Sequence, residues 1–203
     1  MPKVLQGIRV LDLTHVLAGP FASYQLAVMG AQVIKIEAPD EPDQARYQGS
    51  DPDLNDAGMG TAFLAQSSNK QSLTLNLKSG AGRKILHQLV QTADILIENY
   101  RPGALDALGI GYADLCVLKP ELIYCSISAF GSTGPKRELT AYDGVIQAYS
   151  GMMAMTGEAG SAPVKCGAPV VDYATGTTAT AAILAALLHR KNTGEGQFVE
   201  VSM

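Results

Sequence analysis

The chain has 203 residues, 47% of them hydrophobic and 17% charged, enough to bury the core of one globular domain and too apolar for a disordered or fibrous protein. A formal net charge of −4 gives no uniform attraction to phosphate backbones or anionic lipid, so neither nucleic acid nor a membrane is expected as a partner. The three cysteines, Cys116, Cys125 and Cys166, form no CxxC pair and have no histidine at zinc-ligand spacing; they read as reduced, mostly core thiols of a cytoplasmic protein, with no metal site.

The start, MPKVLQGIRVLDL, lacks the basic and long apolar regions of a secretory signal. Ile8 to Leu13 and Gln32 to Glu37 are short β-type runs, and between them an apolar stretch opens at Gly19-Pro20 and closes near Gly30, where proline and glycine suit a helix start and end. This βαβ pattern implies parallel strands. Residues 38–60, rich in Pro, Asp and Gly, read as a long exposed loop. A helical pattern follows Ser79, then a strand from Asp94 to Asn99, the turn YRPG, a short helix from Tyr112 to Leu118, and a strand from Leu122 to Ser128 that ends in the loop FGSTGPK. A helix from about Tyr142 to Met153 comes next, and later a long alanine-rich helix. Its apolar run, Ala179 to Leu188, is too short for a bilayer and reads as a buried helix. The final QFVEVSM is strand-like.

Strands alternating with helices predict an α/β fold with an open, mostly parallel, Rossmann-like sheet and helices on both faces. Ligands of such sheets bind beyond the carboxyl ends of the strands. That directs attention to THVLAGP, NYRPG and FGSTGPK. No GxGxxG follows the first strand and no GxxxxGK[ST] occurs, so neither a nicotinamide enzyme nor a P-loop nucleotidase is indicated.

One carboxylate stands out. Asp172 follows Val170 and Val171 and precedes the long helix, which predicts a strand-to-helix corner where the helix dipole favours its ionised, nucleophilic form. The competing role for an aspartate there is helix capping. His15 lies in a strand-end loop, whereas His87 and His189 fall within helices; a loop-fixing hydrogen bond is the plainer role for His15. Lys70, Lys78, Arg101 and Lys136 would suit a phosphorylated ligand if the fold made them converge.

Taken together, GIRVLDLTHVLAGPFAS, GAQVIKIEAP, NKQSLTLNLKSGAGR, DILIENYRPGALDALGIGY, SISAFGSTGP, AYDGVIQAYSGMM and HRKNTGEGQFVEVSM resemble the family III coenzyme A transferases, whose members include formyl-CoA transferase, carnitine CoA transferase and α-methylacyl-CoA racemase. The resemblance implies that residues 1–203 are the N-terminal, CoA-binding large domain, that the family's C-terminal part is absent, and that the full-length protein is an interlocked homodimer. It implies transfer of CoA between carboxylic acids, with Asp172 passing through an acyl anhydride and then a CoA thioester. Acyl-CoA is then a substrate, and no cofactor is bound permanently. The same resemblance puts Leu17 and Ala18, a strand Leu75, Asn76, Leu77 and Lys78, the turn Asn99, Tyr100 and Arg101, and Thr140, Ala141, Tyr142 and Asp143 against CoA. Leu17 replaces a glutamine of formyl-CoA transferase, and Ala38 and Ala107 replace CoA-contacting arginines, which points away from formyl-CoA as donor. Tyr142 stands where the racemase has its catalytic histidine; a phenol is a poor proton acceptor at neutral pH, so the transferase reading is preferred to the racemase, and a non-catalytic CoA-binding module is the third alternative.

Overall fold

The computed structural model describes residues 3–203, so the first two residues of the expected 1–203 domain lie outside it. Six strands, β1 (Arg9–Asp12), β2 (Gln32–Glu37), β3 (Lys70–Thr74), β4 (Ile95–Glu98), β5 (Ile123–Ser128) and β6 (Gln197–Ser202), form one sheet in the order β3-β2-β1-β4-β5-β6. Every neighbouring pair is parallel. Parallel strands need crossovers. The helix α1 (Ala18–Val28) joins β1 to β2, and α2 (Pro52–Asp56) and α3 (Thr61–Ser67) precede β3. Next, α4 (Gly80–Val90) leads to β4 and α5 (Tyr112–Leu118) to β5, while α6 (Asp143–Tyr149), α7 (Met152–Met155) and α8 (Val170–Thr193) lie between β5 and β6. The expected open, parallel α/β sheet is present.

Side chains alternate across the strands and so feed two cores. On one face Val10, Val33, Ile95, Ile97 and Ile123 pack with Ala22 and Leu26 of α1 and Ala179, Ile183 and Ala186 of α8. On the other, Leu11, Ile36, Leu96 and Leu122 pack with Leu86 and Val90 of α4 and Leu115 of α5. The helices thus cover both faces. Small residues on α8 bring it close to α1: a Cβ at Gly176 would lie 2.6 Å from the Ala18 carbonyl oxygen.

Several local expectations are corrected. Residues 38–60 are not one exposed loop, because Asp43 caps a 3-10 turn at Gln44–Tyr47 and Asp51, followed by Pro52, caps α2. Those turns are too short to leave a hydrophobic period. Arg46 fastens the segment by pairing with Glu37 at 2.6 Å and lying over the Phe63 ring at 3.8 Å. The sequence pattern predicts no strand at β3, whose KQSLT is an edge strand with no apolar alternation. Nor is Leu75 to Lys78 a strand: β3 stops at Thr74, the Asn76 side chain accepts the Lys78 N–H at 2.9 Å to make a turn, and Ser79 caps α4. The helix expected from Tyr142 to Met153 breaks at Gly151, whose φ of +82° ends α6 before α7 begins.

Of the thiols only Cys125 is buried, Cys116 and Cys166 being half-buried. Across its full 24 residues α8 is long and apolar enough to cross a membrane by length and composition, contrary to the reading from Ala179 to Leu188 alone. One stripe of it is nevertheless committed to α1 and the sheet.

Candidate active site at the carboxyl ends of the strands

A cavity of about 730 Å³ lies beyond the carboxyl ends of the strands, over the point where the order reverses between β1 and β4. The segments after all six strands reach it, from His15 after β1 to Met203 after β6. Among the expected residues, Leu17, Ala18, Leu75, Asn76, Leu77, Lys78, Asn99, Tyr100, Arg101, Thr140, Ala141, Tyr142 and Asp172 all line it. Ala38 does too, whereas Ala107 does not. Residues separated by up to 188 positions are brought together because parallel connection places every strand's exit on one side.

Asp143 is different: it lies outside the cavity wall, with 5% of its surface exposed. Its carboxylate accepts the backbone N–H of Val171 at 2.8 Å and of Asp172 at 3.2 Å, and the Gln147 side-chain amide donates to its other oxygen. Pro169 stands at the N-cap of α8 and has no side-chain acceptor to offer. Asp143 therefore caps α8 from α6, answering two of the amide donors that a helix start leaves open.

This also corrects the corner expected at Asp172. Val170 and Val171 form the first turn of α8 rather than a strand, and Asp172 is the third residue of the helix. Its side chain is half-buried and faces the cavity. Burial, followed by the charge of Asp143, pushes its pKa up to about 6, a shift opposite in direction to the one expected from the helix dipole. At neutral pH the group is mostly ionised and more basic than an ordinary aspartate. Among the described residues it has no ion-pair partner, whereas Glu37, also in the wall, is held by Arg46, and Glu41 pairs with Lys78 at 3.1 Å.

The loop after β1 is held unusually. Val16 has a φ of +71°, a left-handed conformation that costs a β-branched residue about 1–2 kcal/mol. Around it Lys35 Nζ donates to the Thr14 carbonyl at 2.7 Å, and Asn99 both accepts the His15 N–H at 2.8 Å and donates to the His15 carbonyl at 2.9 Å. Asn99, on the exit of β4, thus fixes the exit of β1. The His15 ring meets the Tyr100 hydroxyl at 3.2 Å, and burial, ahead of the charges around it, lowers its pKa and keeps it neutral.

Of the four cations that would suit a phosphorylated ligand if they converged, Lys78 and Arg101 reach the cavity. Lys70 points beneath α1, where it donates to Asp12, the Pro20 carbonyl and Ser23. Lys136 lies over the Tyr149 ring at 3.8 Å. Burial opposes ionisation of Asp12, yet the Lys70 and Lys35 charges with the Ser23 and Thr14 hydroxyls outweigh it and hold the carboxyl well below the usual range. Sequence reasoning missed Lys35 and Asp43. The available signal was a lysine inside the apolar strand QVIKIE, since a buried ammonium demands a buried carboxylate. Among the described residues no cluster of His, Cys, Asp and Glu is suited to a metal ion.

Residues 5–203 match the model of CoA-transferase family III. A succinyl-CoA:glutarate CoA-transferase from Mus musculus is 43% identical over 99% of this chain and 45% of its own length. A formyl-CoA:oxalate CoA-transferase from Streptomyces avermitilis is 44% identical over 100% of this chain and 48% of its own. Among solved structures, a CAIB/BAIF family protein from Brucella suis superposes with a TM-score of 0.91 at 36% identity, covering 100% of this chain and 53% of that one. The chain spans about half the length of the curated relatives it matches.

Proposed function

The chain belongs to CoA-transferase family III, and from that membership we propose that the protein moves coenzyme A from one carboxylic acid to another with Asp172 as the nucleophile. The observation that carries this is a single one: Asp172 is a half-buried carboxylate, basic and without a cation partner among the described residues, in the wall of a cavity at the strand ends.

In the first half-reaction the Asp172 carboxylate attacks the thioester carbonyl of the donor acyl-CoA, the carbon–sulfur bond breaks, and an acyl anhydride and CoA thiolate result. The thiolate then attacks the aspartyl carbonyl, which releases the donor acid and leaves CoA on Asp172 as a thioester. The acceptor carboxylate attacks that thioester and sends the thiolate out again, now beside a new anhydride. Attack of the thiolate on the acceptor's acyl carbon yields the product acyl-CoA and regenerates the aspartate. No net proton or electron is transferred, and no permanently bound cofactor is needed. The racemase alternative is weaker, since the Tyr142 hydroxyl accepts a hydrogen bond from the Gln44 amide and a phenol is a poor base at neutral pH. The same reading takes the full-length protein as a homodimer and its compartment as the cytoplasm, in keeping with the three free thiols.

The decisive experiment treats the full-length protein with acyl-CoA and maps the adduct. Hydroxylamine should convert Asp172 to a hydroxamate, and intact mass should show an acyl or CoA addition that is missing in Asp172→Ala. Turnover that survives Asp172→Ala would overturn the proposal.

A further inference from the structure

Resting on that reading, we infer that Asp43, paired with Lys35, is a positioning residue that locks Val16 in its left-handed conformation and thereby fixes the backbone of Leu17 and Ala18 opposite Asp172. Asp43 is 1% exposed and lies behind the wall formed by its neighbours Pro42 and Gln44. One carboxylate oxygen accepts the Val16 N–H at 3.0 Å and also the Ala45 N–H at 3.0 Å. The other pairs with Lys35 Nζ at 2.9 Å, and the same ammonium donates to the Thr14 carbonyl two residues before Val16.

A valine left to itself avoids φ of +71°, and the free loop would relax toward extended backbone. Relaxation would swing the peptide planes on either side of Val16 and so move the start of α1. That start touches the helix carrying the nucleophile: Gly176 of α8, four residues past Asp172, lies against the Ala18 carbonyl, and Phe21 meets Tyr173 edge to face with ring centroids 4.8 Å apart. Leu17 and Ala18 line the cavity together with Asp172. The Asp43 carboxylate makes two ties at once, from the segment after β2 to the loop after β1 and, through Lys35, to β2 itself, so the loop has no slack.

The expected signature is a split between turnover and affinity, because the network orders the reacting end of the cavity. In the full-length protein, Asp43→Ala should lower kcat about tenfold or more while KM for acyl-CoA changes by less than about threefold, since a shift near 1 Å at reacting groups is costly. Adding Val16→Gly should recover much of the lost kcat, because glycine adopts a positive φ unaided. A kcat unchanged in Asp43→Ala, or a loss that tracks the melting temperature and is not recovered by Val16→Gly, would overturn the inference. Should Asp43→Ala fail to fold, Val16→Gly is compared with Val16→Pro, which bars positive φ and lacks the N–H: near-normal kcat in the first and loss in the second support the lock, and equal activity refutes it. Amide hydrogen exchange separates this from failure of the transferase reading. Even if the wild type transfers no CoA, the Val16 N–H should exchange slowly in the wild type and rapidly in Asp43→Ala, and equal rates would refute the lock.

Discussion

The backbone N–H of Asp172 donates to the carboxylate of Asp143, so one acid caps the helix that presents the other and at the same time repels its charge. A single contact therefore helps to position Asp172 and adds to the burial that raises its pKa.

With Asp172 as the proposed nucleophile, turnover should fall as the pH drops through about 6, where its carboxylate gains a proton. Asp143→Asn keeps an acceptor for the α8 amides but removes the like charge, so the acid limb of the pH–rate profile should move to lower pH. Asp143→Ala should instead lower stability by about 1–2 kcal/mol, the cost of an unmet helix cap, read by urea denaturation.

Stability should respond to Asp172 in the opposite sense to an ion-paired aspartate. Its folded pKa of about 6 lies above the ordinary value of 3.8, so the folded state holds the proton more tightly, and stability declines as pH rises from about 4 to about 6. Above that window the penalty is complete. Asp172→Asn should therefore raise the melting temperature at pH 8, with a gain that vanishes near pH 3.5; a variant less stable than wild type at pH 8 would contradict this.

Arg101 and Lys78 should differ as phosphate contacts. Lys78 is tied to Glu41 at the cavity rim, whereas among the described residues Arg101 has no carboxylate partner. Arg101→Ala should weaken CoA binding about tenfold, in line with the loss of one charge-assisted hydrogen bond. Lys78→Ala should change it by less than about threefold, because the exposed pair contributes little and Glu41 offsets the cation. Calorimetric titration with CoA and with dephospho-CoA compares the two.

Gly176→Ala should destabilise the protein by about 1–3 kcal/mol, since the new methyl would press on the Ala18 carbonyl and on Phe21, 2.9 Å away. Denaturant midpoints measure it, and a loss of turnover larger than the loss of stability would show that the α1–α8 contact also places Asp172.

Much of the sheet was legible along the chain. The run ILIE, buried at all four positions in β4, and the βαβ pattern from Ile8 to Glu37 carry their periodicity openly, because a central parallel strand is apolar on both faces. The short β3 was not legible, since an edge strand is half-solvated and needs no apolar pattern. Nor were the turns around Asp43 and Asp51, which are made by side-chain caps rather than by burial.

The loops that meet at the cavity follow from the order of residues alone, because connection through parallel strands sends every exit to the same edge, and the motifs around Asp172 mark it as the nucleophile candidate. What the folded molecule decided was the electrostatic state of each group. Whether Asp172 is raised or lowered in pKa, which lysine faces the cavity and which is spent on Asp12, and how Val16 is held at positive φ all depend on partners 27 to 58 positions away, such as Asp143, Lys70 and Asp43. Charge interactions fall off with distance in space, and distance in space is fixed only when the chain has packed.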